Sequence, residues 1–227
     1  MILPRLFEDL SGEHRHIIPA GAPWLALRKL ENYITSLLAQ YKPGIHSPLP
    51  PGAETGKDVY IGPGCTIEPG VYIKGPAWIG PGCVLRNGFY CRENVLVEGD
   101  AMLGHACEIK NSYLMKGAQV PHFNYVGDSI LGAGAHLGAG VILANIRLDK
   151  KTIILKNVAA VGGAGSIIDT TLEKFGAIIG DNCEIGCNSV LNPGSIIGAG
   201  AVIYPLSVWK GIMAEDTVYK GRLPQGS

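Results

Sequence analysis

The sequence predicts an all-β chain wound as a parallel β-helix, and two observations predict it. From Ile61 to Met115 every sixth residue is Ile, Val, Leu, Met or Cys: Ile61, Ile67, Ile73, Ile79, Leu85, Cys91, Val97, Leu103, Ile109 and Met115. Four residues after each comes a second, mostly small or apolar set, including Cys65, Val71, Ala77, Cys83, Phe89, Val95, Ala101 and Cys107. A period of six fits neither the two-residue repeat of a strand nor the 3.6 of an α-helix. Two inward positions per six residues describe a short strand and a corner, the hexapeptide unit of a β-helix.

The pattern returns at Leu131, Leu137 and Leu143, and again at Ile179, Ile185, Leu191, Ile197 and Ile203, which sets the β-helix body at residues 59–205. The 32 glycines suit the corners, where a positive φ is needed, and charged residues make up only 17% of the chain.

Residues 1–58 lack the hexad. Pro23 followed by Leu25, Leu27, Leu30, Ile34, Leu37 and Leu38 predicts one amphipathic helix ending near Tyr41, with a Pro- and Gly-rich linker over 42–56. The helix is expected to cover the open end of the β-helix or to meet a neighbouring subunit. Residues 144–178 interrupt the repeat, with Asp149 and Glu173 where the register demands apolar side chains. An arm of two short strands around a Gly-rich turn, at about 146–173, is expected to project from the body. Residues 206–227 leave the repeat and are expected to form a tail.

Equal numbers of acidic and basic residues, 19 each, give no electrostatic footprint for nucleic acid. No apolar run is long enough to span a membrane. Residues 1–20 carry Arg5, Glu8, Asp9, Glu13 and Arg15 without an apolar centre, unlike a secretory leader, so a cytoplasmic protein is the expectation. Of the six cysteines, Cys65, Cys83, Cys91, Cys107 and Cys183 fall on inward positions as core hydrophobes, and only Cys187 should face outward. Neither a disulfide nor a metal site is expected.

Sorting the outward positions by coil brings out chemistry. If three hexads make one coil, residues eighteen apart stack at about 4.8 Å. Lys74, Arg92 and Lys110 then form one column, followed by Asp128. Like charges at that spacing repel by roughly 1–3 kcal/mol, which an anion would relieve. The adjacent column holds Glu68, Arg86, Gly104 and His122, and the hexad jumps four residues from Pro121 to Tyr125 beside that histidine.

The stretch RENVLVEGDAMLGHACEIKNSYLMKGAQVPHFNYVGDSILGAGAHLGAGVILAN, residues 92–145, resembles the acetyltransferase domain of bifunctional N-acetylglucosamine-1-phosphate uridyltransferases, archaeal relatives included. EKFGAIIGDNCEIGCN, residues 173–188, continues the resemblance after a longer arm. The resemblance implies a left-handed β-helix, a homotrimer with sites between subunits, and acetyl transfer from acetyl-CoA to the amine of an amino-sugar phosphate, with glucosamine 1-phosphate first in line. It implies His122 as general base, with Arg92, Lys110, Tyr125, His136, Asn145 and Lys174 as substrate contacts. Lys150, Lys151 or Lys156 are alternatives to Lys174. Ala139 and Cys187 match contacts to the acetyl-CoA thioester, and backbone amides near Gly138 and Ala139 are candidates for holding the oxyanion.

Two positions depart from the family pattern. His136 replaces a polar amide, and Cys187 replaces a hydroxyl residue and offers a poorer hydrogen-bond partner. The uridyltransferase half has no counterpart, so nucleotide-sugar synthesis is not expected. Two rival readings stand beside the acetyltransferase, together with a different amino sugar as acceptor. One is a non-catalytic phosphosugar-binding or assembly protein. The other is a metal-dependent hydratase of the γ-carbonic anhydrase type, which needs three histidines converging between subunits; the spacings of 17 and 14 are expected to put His105, His122 and His136 in different corner columns, which speaks against it.

Overall fold

A computed structural model describes residues 3–8, 12–158 and 166–221. Three parallel sheets, one of nine strands and two of eight, form the three faces of a β-helix, and each strand pairs with strands of the neighbouring coils on the same face. The chain passes from the first face (Val59–Ile61) to the second (Thr66–Ile67) and the third (Tyr72–Ile73), and then returns to the first (Ala77–Ile79). The hexad residues fill the interior: Ile61, Ile73, Ile79, Leu85, Cys91, Val97, Leu103 and Ile109 are fully buried in one cluster. Five cysteines are buried and Cys187 is exposed, in keeping with the register.

The coiling extends beyond the repeat at both ends. Gly44–Ile45 and Glu54–Thr55, in the expected linker, pair with the first coil. Val208–Trp209, Ile212–Met213 and Val218–Tyr219 pair with the last, so the expected tail is a further coil up to Tyr219.

The helix does not cover the open end of the β-helix, one of its two expected places. A 3₁₀ segment, Pro23–Arg28, leads into an α-helix, Leu30–Tyr41. Neither caps an end of the β-helix. Trp24, Leu27, Leu30, Ile34, Leu37 and Leu38 pack instead on the outer side of the first face, against Trp78, Leu96, Tyr113, Met115, Ile130, Ile178 and Ile196. The first face is therefore apolar on both sides, as sheets buried on both faces are.

The register also slips elsewhere than the sequence suggests. Leu114, not Met115, is the inward residue, paired with Val97 below and Leu131 above. The step from Val120 to Val126 is a regular hexad, as their pairings with Leu103 and Ile109 require. One residue is missing between Ile109 and Leu114 and another between Val126 and Leu131, both at the corner between the third and first faces. Asn111 and Asp128 make these tight corners with φ of 43° and 47°, a conformation Asn and Asp tolerate better than most residues. The arm leaves this same corner one coil later, after Leu143. Its described part is an antiparallel pair, Ile154–Val158 with Ser166–Asp169, closed at the base by a bridge between Ile146 and Lys174.

Candidate functional site

Two groups of side chains stand at two corners, with the third face between them. At the third-to-first corner, Lys74, Arg92 and Lys110 stack as expected, but Gly127 lies above Lys110, and Asp128 falls in the next column with Asn111. The missing residue shifts it there. The expected repulsion is already relieved by protein carboxylates. Lys74 Nζ lies 3.3 Å from Glu93, Arg92 lies 3.0 Å from Glu108 and 3.4 Å from Glu93, and Lys110 Nζ lies 3.4 Å from Asp128. The hydrogen bond to Glu108 raises the Arg92 pKa further.

Asp128 organises this corner. The residue is 4% exposed, and its carboxylate accepts from Lys110, from Asn111 Nδ2 at 2.8 Å and from Asn145 Nδ2. Tyr125 reaches the same group from the third face. A Cβ on Gly127 would lie 2.7 Å from the Tyr125 hydroxyl and 2.8 Å from Asn145 Nδ2, so both side chains close over that glycine. Burial, then the carboxylates of Asp128 and Glu108, raise the Tyr125 pKa.

A cleft of about 700 Å³ opens here, lined by Arg92, Lys110, Asp128 and Lys174, with Arg28 and Glu31 from the N-terminal segment. Lys174, at the base of the arm, is thus brought to Arg92 and Lys110, whereas Lys150, Lys151 and Lys156 do not line this cleft.

The second group stands at the corner between the second and third faces. His122 pairs directly with His105 in the coil below, so the two share a column that the expected register assigned to Gly104 and His122. Continuing upward, the pairings put Ala139 and Cys187 in the column of His122. Among the described residues the His122 ring makes no hydrogen bond to protein. Its backbone N–H donates to Asn124 Oδ1 at 3.0 Å, while Asn124 Nδ2 donates to the Gly138 carbonyl at 2.8 Å. Asn124, buried at an inward position that Cys107 and Val141 occupy in neighbouring coils, ties the His122 corner to the next one. Its signal in the sequence was an amide at a position otherwise small or apolar.

The Gly138 N–H donates to the Ile185 carbonyl at 2.7 Å and is committed to the ladder, whereas among the described residues the Ala139 N–H donates to no backbone carbonyl. A Cβ on Gly138 would meet the Cys187 nitrogen at 2.7 Å, so bare backbone is required there. Beside it, on the second face, His136, Gly138, Ile185, Cys187, Tyr204 and Pro205 line a hollow of about 300 Å³. His136 Nδ1 donates to Glu184 at 2.7 Å. His136 therefore lies on the opposite side of the His122 corner from Tyr125, and one chain does not bring those two together.

Against the expectation of three different corner columns, His105 and His122 share one, and His136 sits on a face. Among the described residues no three His, Cys, Asp or Glu side chains converge as metal ligands. No helix among them is long and apolar enough to cross a membrane.

The family profile described as Bacterial transferase hexapeptide (six repeats) matches residues 56–88 and 176–208. The Bifunctional protein GlmU of Methanococcus vannielii is 38% identical over 132 residues, covering 58% of this chain and 30% of that protein. The Bifunctional sugar-1-phosphate nucleotidylyltransferase/acetyltransferase of Sulfurisphaera tokodaii is 39% identical over 142 residues, covering 63% and 34%. The chain thus spans about a third of the length of these relatives. Among solved structures, the acetyltransferase domain of PglB from Neisseria gonorrhoeae covers 83% of this chain and 63% of its own, at 16% identity and a TM-score of 0.36.

Proposed function

We propose, for a chain that belongs to the hexapeptide-repeat transferases and is homologous to these archaeal bifunctional proteins, that it transfers an acetyl group from acetyl-CoA to the amine of an amino-sugar 1-phosphate, glucosamine 1-phosphate first. The observation that carries this reading is His122. Among the described residues its ring makes no hydrogen bond to protein, at a corner shared with Ala139 and Cys187, one face away from Arg92 and Lys110.

A substrate amine is largely an ammonium ion near neutral pH and cannot attack until it loses a proton. His122 accepts that proton as the general base. The freed amine forms the C–N bond to the thioester carbonyl, and the C–S bond breaks with the thiol as leaving group. Ala139 presents its backbone N–H toward the oxyanion formed in between. Acetyl-CoA supplies the activated acetyl group, and the hollow beside Gly138 and Cys187 fits an extended, largely apolar thioester arm. Tyr125 and Asn145 orient the sugar on the third face, and Arg92, Lys110 and Lys174 face its phosphate.

His136 stands on the other side of the corner, so its substrate contact belongs to a site completed by a neighbouring subunit. That supports a homotrimer with sites between subunits.

The test is to incubate the protein with acetyl-CoA and a panel of amino-sugar 1-phosphates and to follow thiol release. Turnover of glucosamine 1-phosphate is expected. Turnover confined to another amino sugar would correct the acceptor, and none on any member would remove the acetyltransferase reading.

A further inference from the structure

We propose that Arg28, from the N-terminal segment outside the repeats, acts with Lys174 as the phosphate clamp of the acceptor cleft and so selects phosphorylated acceptors. This rests on the acceptor reading above.

The cations expected to hold the phosphate are already engaged. Arg92 is held by Glu93 and Glu108, and Lys110 by Asp128, so an anion approaching either competes with a carboxylate within 3.4 Å. Two other cationic side chains line the same cleft, Arg28 and Lys174. Both are exposed, and among the described residues neither forms an ion pair. Glu31 and Glu173 also line the cleft, so its positive and negative charges balance. Long-range attraction then contributes little, and aimed donors have to hold an anion.

Arg28 is built to aim. It ends the 3₁₀ segment Pro23–Arg28, whose Pro23, Trp24, Ala26 and Leu27 are buried. Trp24 packs against Phe175, the residue after Lys174, with ring centroids 6.4 Å apart. One guanidinium nitrogen of Arg28 donates to the Thr171 carbonyl, three residues before Lys174. That bond spends one of five N–H donors on a neutral acceptor and fixes the guanidinium relative to the arm. The remaining donors keep the planar fork that matches phosphate oxygens two at a time, while Lys174 adds a point charge. The N-terminal segment thus serves as one wall of the cleft as well as a cover for the first face.

The test compares the wild type with Arg28→Ala and Arg28→Lys, using glucosamine 1-phosphate and unphosphorylated glucosamine as acceptors with acetyl-CoA. Arg28→Ala is expected to raise KM for the phosphorylated acceptor at least roughly tenfold, the loss of one charge-assisted hydrogen bond. Its KM for glucosamine and its kcat should stay within about twofold, and Arg28→Lys should recover part of the loss. Equal rises for both acceptors would mean that Arg28 is only a strut for the arm, and an unchanged KM would also overturn the clamp.

Calorimetric titration with glucosamine 1-phosphate separates this outcome from failure of the acetyltransferase reading. If the wild type turns nothing over, weaker binding by Arg28→Ala still supports the clamp. Unchanged binding, or no binding by the wild type, overturns it.

Discussion

His122 pairs with His105 across adjacent coils, the two residues occupying one corner column. The pair is not equivalent. His105 Nδ1 donates to the Asn87 carbonyl at 2.7 Å, whereas the His122 ring makes no hydrogen bond to protein among the described residues and touches only the Phe123 ring, at a centroid distance of 6.3 Å. His122→Ala should therefore lower the rate of thiol release at least roughly a hundredfold, the usual contribution of a general base, while circular dichroism stays that of the wild type. His105→Ala should retain activity within a fewfold. Equal losses in the two variants would show that the pair is needed as a unit and that His122 is not a base on its own.

Gly104 lies beneath Pro121, the residue before His122, and a Cβ on it would overlap the Pro121 carbonyl. That neighbour is backbone and cannot swing aside. Gly104→Ala should cost about 2 kcal/mol or more in denaturant unfolding and should also lower kcat, because any relief moves the His122 corner. A variant with wild-type stability and kcat would mean that the coil yields without disturbing the site.

The hexad made the β-helix legible because its inward side chains are an ordinary transfer of apolar surface, repeated coil after coil. It misplaced the register slip for a physical reason. The first face is buried on both sides, so Leu114 and Met115 are both apolar and both buried, in different cores, and periodicity cannot say which faces in. The covering helix was visible, but the face it covers was not. Arg92, Lys110 and Lys174 could be singled out as residues, and Asp128 was expected above Lys110, yet its place in the Asn111 column depends on the residue missing before Leu114. Arg28 carried no signal in its own segment, because its place in the cleft is set by the arm, far away in sequence.

Asp128 holds Lys110, Asn111 and Asn145 from a position that is almost wholly buried, with 5% of its side chain exposed against 13% for Lys110. Asp128→Ala leaves a largely buried ammonium and two amides without their acceptor. Breaking a buried pair from one side should cost about 3 kcal/mol in urea unfolding. Lys110→Met, which removes the charge while keeping a comparable chain, should cost less than Asp128→Ala. The reverse order would mean that Lys110 does more for stability through packing than through its charge.

His14 places the N-terminal cover under pH control. Its ring is 5% exposed, hydrogen-bonded to the Tyr33 hydroxyl at 2.8 Å and set edge-on to Trp78. Burial lowers its pKa below the ordinary 6.5, ahead of the opposing pull of Glu13 and Glu98 and the smaller push of His16. The folded protein thus holds this imidazole neutral, while the unfolded chain takes up a proton below about pH 6.5. Between the two pKa values the unfolded state binds more protons, so this contribution to stability is present above pH 6.5 and is lost as the pH falls. The loss has a ceiling of about 1.4 kcal/mol per pH unit. Urea midpoints at pH 7.5 and 5.5 should therefore fall further for the wild type than for His14→Gln, which keeps a hydrogen-bonding group but cannot take up the proton. Identical pH dependence in the two proteins would show that the His14 pocket admits the charged ring at no cost.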